Sequence, residues 1–183
     1  MRVTPTEFPE VLVIEPTVHR DARGYFLESF NQRAFDEAVG CHIGFVQDNQ
    51  SLSVRGVLRG LHYQLPPHAQ DKLVRVTRGT AFDVVVDVRR SSPRFGRWVG
   101  VELSSDNHRQ LWVPAGFAHG FLVLSDEADV IYKTTDYYAT QCEAAIRWDD
   151  AAVGIVWPRL GIAPRVSAKD AVAPTLADAR LFD

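Results

Sequence analysis

The chain has 183 residues, 46% of them hydrophobic and 23% charged, the composition of an ordinary soluble globular protein, and its length suits one domain over residues 1–183. A net charge of −3 argues against a general nucleic-acid binder, yet leaves room for a local basic pocket. No apolar run approaches the roughly 20 residues of a membrane span, and the short run near the N-terminus is too brief for a signal-peptide core, so a cytoplasmic protein is expected.

The stretch "DARGYFLESF" (21–30) alternates Arg23, Tyr25, Leu27 and Ser29 against Gly24, Phe26, Glu28 and Phe30. Such a strand mixes charge and aromatics on both faces, which suits a subunit contact or a ligand better than a sheet with one wet side. "NQRAFDEAVG" (31–40) reads as a helix, with Asn31 as N-cap and Gly40 as terminator. Cys41 follows, and its only fellow is Cys142; without CxxC spacing a disulfide is not expected.

"VLRGLHYQLPP" (57–67) is an apolar strand carrying Arg59 and His62, closed by two prolines. "KLVRVTRGTAFDVVVDVRR" (72–90) reads as a hairpin of two β-branched runs around Arg78-Gly79. "RWVGVELS" (97–104) is a further strand, "DNH" (106–108) a turn, and "QLWVPAG" (110–116) a strand stopped by Pro114 and Gly116. "HGFLVLS" and "ADVIYKTTDYY" follow. From Trp157 the Pro-rich tail is expected to wrap the rest, with a short helix over 175–180. Short strands with small turns predict an antiparallel sandwich or barrel.

Six histidines are present, none in an HxH, HxxxH or HExxH pattern. A strand-borne metal site usually takes two ligands on one face, two residues apart. Gln64 occupies that position relative to His62 and is a poor transition-metal ligand, so metal binding is the weaker reading. His62 is balanced between a structural imidazole and a base. A nearby Arg59 would disfavour its protonation and keep it ready to accept a proton. Lys72 reads as a solvated strand-end lysine, and Lys169 and Asp170 in "SAKDA" as a solvated turn. Tyr132 shares a strand face with Val130 and Thr134, the pattern of a barrel-lining aromatic. Taken together, arginines, lysines, a histidine, a tyrosine and aromatics on barrel strands suit an anionic ligand with an aromatic base and a group needing proton transfer.

The motifs "RGYFLESFN", "FVQDNQSLSVRGVLRGLHYQ", "KLVRVTRGTAFDVVVDVRRSSPRFGRW", "WVPAGFAHGF" and "YKTTDYY", in this order and spacing, resemble the dTDP-4-dehydrorhamnose 3,5-epimerase family of the cupin superfamily, along nearly the whole chain. The resemblance implies an all-β cupin jelly-roll barrel with short marginal helices, a homodimer in which an N-terminal strand reaches the partner's site, and no metal or other cofactor. It implies a dTDP-4-keto-6-deoxyglucose substrate, epimerised at C3 and C5 for dTDP-L-rhamnose synthesis. His62 would be the general base, paired with Asp170, with Tyr132 the acid on the opposite face and Lys72 near the sugar's carbonyl oxygen. Substrate-binding positions would be Arg23, Glu28, Gln47, Asn49, Arg59, His119, Glu143 and Lys169. Tyr138 would stack on thymine, Phe26 would lie in the strand offered by the partner, and Asp83 would orient His119.

Three rivals follow from the same residues. A single-centre epimerase would keep His62, Asp170 and Tyr132. A metal-dependent cupin oxidoreductase would need metal ligands. A noncatalytic nucleotide-sugar-binding module would have no use for an acid–base pair.

Overall fold

The structure is a computed structural model that describes residues 1–183. Thirteen strands run in chain order as β1 (Arg2–Pro5), β2 (Leu12–Glu15), β3 (Val18–Asp21), β4 (Gly24–Leu27), β5 (Gln47–Val54), β6 (Leu58–Gln64), β7 (Lys72–Arg78), β8 (Thr80–Asp87), β9 (Trp98–Ser104), β10 (Gln110–Val113), β11 (Phe117–Val123), β12 (Glu127–Thr134) and β13 (Glu143–Ala145). Helix is confined to α1 (Gln32–Val39), α2 (Ala168–Ala171) and one 3₁₀ turn at Thr140–Cys142.

Two antiparallel sheets face each other. One has the order β1-β2-β10-β7-β12-β5 and the other β13-β6-β11-β8-β9. This is the expected all-β jelly roll. Between the sheets, Val74, Val76, Val85, Leu111, Phe121 and Val130 form the main core. A second core covers the outside of the five-stranded sheet, where Val84, Val86, Tyr63 and Leu61 pack against Ile146, Val153 and Leu176 from the C-terminal segment. With both faces covered, β8 is buried continuously from Asp83 to Asp87 and carries the apolar run Val84, Val85 and Val86 rather than an alternation.

The interior is not apolar throughout. On β7, Val74 and Val76 enter the main core, and Lys72 lies on the same face two residues earlier. On β11, Phe117, Phe121 and Val123 enter the core, and His119 shares their face. Polar side chains therefore interrupt these apolar rows, and the site lies where Lys72 and His119 enter the interior.

Three local expectations are corrected. Residues 72–90 do not form a hairpin: β7 and β8 join different sheets, so Gly79 is a corner between layers. Its φ of +75° and the 2.0 Å that would separate an added Cβ from the Glu127 carbonyl oxygen require glycine there. Residues 21–30 are not one strand. Asp21 accepts the Arg23 backbone N–H at 2.8 Å, and the chain reverses into the exposed β3–β4 hairpin. Residues 175–180 form a turn rather than a helix, because the Leu176 N–H is bonded to the buried Asp150 carboxylate at 2.6 Å while Leu176 and Ala179 face the second core.

The helix at 31–40 is found as α1. The Asn31 side chain caps Ala34 N–H at 3.1 Å, and Gly40 closes it at φ 84°. The tail crosses the barrel as expected, Arg165 pairing with Val57 and Phe182 with Arg89. Both cysteines are free. No helix is long and apolar enough to cross a membrane.

Candidate active site

One cavity of about 790 Å³ opens there. That volume lies within the range of small-molecule sites. Strand alternation builds its walls. Gln47, Asn49 and Ser51 come from one face of β5, and Arg59, His62 and Gln64 from β6. Lys72, His119 and Tyr132 enter from β7, β11 and β12. Tyr138 and Glu143 follow β12, and the tail adds Arg165, Ser167, Lys169 and Asp170.

His62 and His119 are direct cross-strand partners on β6 and β11. The strands approach closely just beyond them, where a Cβ on Gly60 would lie 2.6 Å from the Gly120 Cα. His62 Nε2 meets Asp170 Oδ1 at 2.6 Å. Asp170 is buried at the first turn of α2, whose N-cap Ser167 accepts the Asp170 N–H at 3.1 Å. Burial raises the Asp170 pKa, but bonds from His62, Ser167 and the Gly60 backbone outweigh it and hold the carboxyl below its ordinary value. An ionised carboxylate only accepts, so the proton of neutral His62 sits on Nε2 and the lone pair on Nδ1. Nδ1 makes no hydrogen bond within the protein, leaving a base available to a ligand.

Lys72 is buried, not solvated as its strand-end position suggested. Burial pushes its pKa down to about 8, against the pull of the Asp83 and Glu143 carboxylates. Its Nζ donates to the His62 carbonyl at 3.2 Å, leaving further donors for a ligand oxygen. Burial raises the Tyr132 pKa, opposed by Arg59 and reinforced by Glu143, so the phenol keeps its proton at neutral pH. The site thus brings an imidazole with one unbonded ring nitrogen, a protonated phenol and a buried lysine amine into one cavity.

Around this centre the polar groups are held in place. His119 Nε2 lies 2.9 and 3.0 Å from the two oxygens of buried Asp83. Arg59 Nε donates to Ser53 Oγ at 3.0 Å, and its guanidinium has no carboxylate partner, which leaves it free for an anion. Glu143 accepts from the Tyr138 hydroxyl at 2.9 Å and pairs with Lys169 at 2.5 Å. Burial works against ionisation of Glu143, but Lys169, Tyr138 and His62 lower its pKa.

Eleven expected residues therefore meet in one cavity: His62, Lys72, Tyr132, Asp170, Gln47, Asn49, Arg59, His119, Tyr138, Glu143 and Lys169. The solvated-turn reading of Lys169 and Asp170 is corrected, since Asp170 is 3% exposed and bonded to His62. Arg23, Phe26 and Glu28 do not join the cavity of their own chain. They lie on or beside the β3–β4 hairpin, where Phe26 is 71% exposed.

Several lining residues were not singled out from the sequence. Ser51 continues the inward row of β5, and its buried hydroxyl has no partner. Ser167 was legible as the start of "SAKD", a Ser-x-x-acid helix-start pattern. Gln64 was weighed only as a metal ligand, although its two-residue spacing puts it on the His62 face. Arg165 carries no local signal, since the tail's path over the barrel places it.

The chain is similar to known proteins along nearly its whole length. The family model for dTDP-4-dehydrorhamnose 3,5-epimerase matches residues 5–178. A Shigella flexneri dTDP-4-dehydrorhamnose 3,5-epimerase is 56% identical over 182 residues, covering 100% of this chain and 99% of the relative. The crystal structure of a dTDP-6-deoxy-D-glucose-3,5-epimerase from Legionella pneumophila Philadelphia 1, in complex with dTDP-4-keto-L-rhamnose, superposes with a TM-score of 0.93 at 50% identity. The match covers 97% of this chain and 93% of that one. A 3'-monoepimerase from Streptomyces bikiniensis, in complex with dTDP-quinovose, gives a TM-score of 0.89 at 38% identity, covering 94% and 87% of the two chains.

Proposed function

The chain belongs to the dTDP-4-dehydrorhamnose 3,5-epimerase family, and from this premise we propose that it converts dTDP-4-dehydro-6-deoxy-D-glucose to dTDP-4-dehydro-L-rhamnose, with His62 as base and Tyr132 as acid. The observation that carries the assignment is the His62–Asp170 pair, facing the same cavity as Lys72 and Tyr132.

The C4 ketone of the substrate acidifies the hydrogens on C3 and C5. His62 Nδ1 takes one of them, and the electron pair of the broken C–H bond moves through the carbon skeleton to the C4 oxygen. Asp170 stabilises the imidazolium that results. Lys72 meets the new negative charge with an ammonium already in place, where it stabilises the enolate most effectively. Tyr132 then returns a proton to the same carbon from the other face, and the centre is inverted. His62 has gained a proton and Tyr132 has lost one; exchange with solvent restores both before the second centre reacts.

Arg59 holds the diphosphate, a natural partner for guanidinium, and Tyr138 stacks on thymine. Gln47, Asn49, His119, Glu143 and Lys169 complete the substrate contacts. We assign no step to a metal: no group of three His, Cys, Asp or Glu side chains is placed to hold one.

The enzyme works in the cytoplasm as a homodimer of single-domain subunits. Each subunit lends its β3–β4 hairpin to the other's cavity, bringing Arg23, Phe26 and Glu28 to the nucleotide. The exposure of Phe26 and Tyr25 on that hairpin supports this arrangement. Proton NMR of the 4-keto sugar nucleotide in deuterium oxide tests the function: exchange and inversion at both C3 and C5 are expected, and exchange at one carbon alone would make the enzyme a single-centre epimerase.

A further inference from the structure

Gln64 is 4% exposed and lines the cavity two residues beyond His62. Its carboxamide joins two loops that approach the cavity from different strands. Nε2 donates to the His68 carbonyl at 2.7 Å and to the Tyr137 carbonyl at 3.2 Å. Oε1 accepts the Ala139 N–H at 2.8 Å. Both amide hydrogens and the carbonyl are therefore used. The pattern of two carbonyls and one N–H fits a carboxamide in one orientation and fits no other side chain of that length.

The two backbone bonds fall on Tyr137 and Ala139, immediately either side of Tyr138. Tyr138 itself is 56% exposed. The Tyr138 N–H reaches the Gln47 side chain at 3.2 Å and its hydroxyl reaches Glu143 at 2.9 Å. The backbone bearing an exposed aromatic is thus pinned from beneath by one buried amide. We propose that Gln64 is a positioning residue for the nucleobase end of the substrate, holding residues 137–139 so that the Tyr138 ring presents a fixed stacking face. The inference rests on the assignment of Tyr138 to thymine.

Two variants separate the amide's roles. Gln64→Leu removes all three bonds. Gln64→Glu keeps an acceptor for Ala139 but sets a carboxylate against the two carbonyls. Calorimetry would follow binding of thymidine diphosphate and of inorganic pyrophosphate, alongside steady-state kinetics with the full substrate. Each variant is expected to weaken thymidine diphosphate binding and raise KM by about tenfold or more, as for one or two lost bonds. Pyrophosphate affinity and kcat should stay within about threefold. In a Tyr138→Ala background the Gln64 substitutions should add little, because they act through that ring.

Unchanged thymidine diphosphate affinity, an equal loss for pyrophosphate, or a fall in kcat at constant KM would overturn the proposal. So would additive losses in the double variants, or failure of both Gln64 variants to fold, which would make the amide a folding element. If Tyr138→Ala alone leaves thymidine diphosphate binding intact, the stacking assignment falls and the inference falls with it. If only the Gln64 variants bind normally, the stacking assignment stands.

Discussion

His62 and Asp170 lie 108 residues apart in sequence and meet at 2.6 Å, the imidazole on β6 and the carboxylate on the short helix α2. The tail that carries Asp170 is therefore part of the cavity wall and, on the proposed assignment, of the acid–base pair. Its backbone runs alongside the entry to β6, with the Leu58 N–H bonded to the Arg165 carbonyl at 2.9 Å.

Asp170→Asn should lower kcat by about 10²–10⁴-fold with little change in KM, the range for disabling a positioned base. An amide can hold the wrong tautomer of His62 and cannot stabilise the imidazolium. The pair also has a pH signature. The Asp170 pKa is lowered in the folded protein. Its contribution to stability is therefore present above the unfolded carboxyl pKa of about 3.9 and is lost as pH falls through the lower folded value. Thermal melts across the acid range should show a shallower acid loss for Asp170→Asn than for the parent.

Lys72 governs the alkaline side. Its pKa is lowered to about 8, so raising the pH through that value removes the charge that meets the enolate. A plot of kcat/KM against pH should fall with a midpoint near 8, and Lys72→Arg should abolish that limb while retaining part of the activity. For stability, the folded protein disfavours the charged form, a cost fully present below about 8 and lost as pH rises towards the unfolded value of about 10.4. Lys72→Met should therefore raise Tm at neutral pH, by at least about 2 °C, while sharply lowering kcat.

Tyr132→Phe should separate the two half-steps. Proton removal by His62 remains possible, so deuterium exchange at the first carbon should continue while inversion falls by about 10²-fold or more. Chiral analysis of the product alongside the NMR exchange rates checks this; equal loss of both would remove Tyr132 as a separate acid.

The shared-hairpin arrangement predicts complementation between inactive variants. Arg23→Ala damages what a subunit lends and His62→Asn what it keeps. After refolding an equal mixture, half the dimers are mixed, and each has one intact site, so activity should recover to about a quarter of the parent's. No recovery would mean that each chain completes its own site.

Much of this was legible in the strand pattern. Alternation places Lys72 on the face of Val74 and Val76, and β5 lays Gln47, Asn49 and Ser51 on one side; the same rule aligns Gln64 with His62. The corner at Gly79 was read as a hairpin because both strands are apolar and the turn is tight. Which sheet a strand joins is decided by packing far from the turn. The burial of Asp170 was hidden for a related reason, since "SAKD" is polar locally and only the tail's path across β6 covers it. In the proposed dimer Arg23, Phe26 and Glu28 serve a second copy of the chain, and the only local signal for it is the mixture of charge and aromatics over residues 21–30.

The most direct test of the central claim is proton NMR of dTDP-4-dehydro-6-deoxy-D-glucose in deuterium oxide, with the parent enzyme and His62→Asn run in parallel. The parent should incorporate deuterium at both C3 and C5 as the product forms, and the variant should leave both positions protonated. Appreciable exchange in the His62→Asn variant would contradict the assignment of His62 as the base.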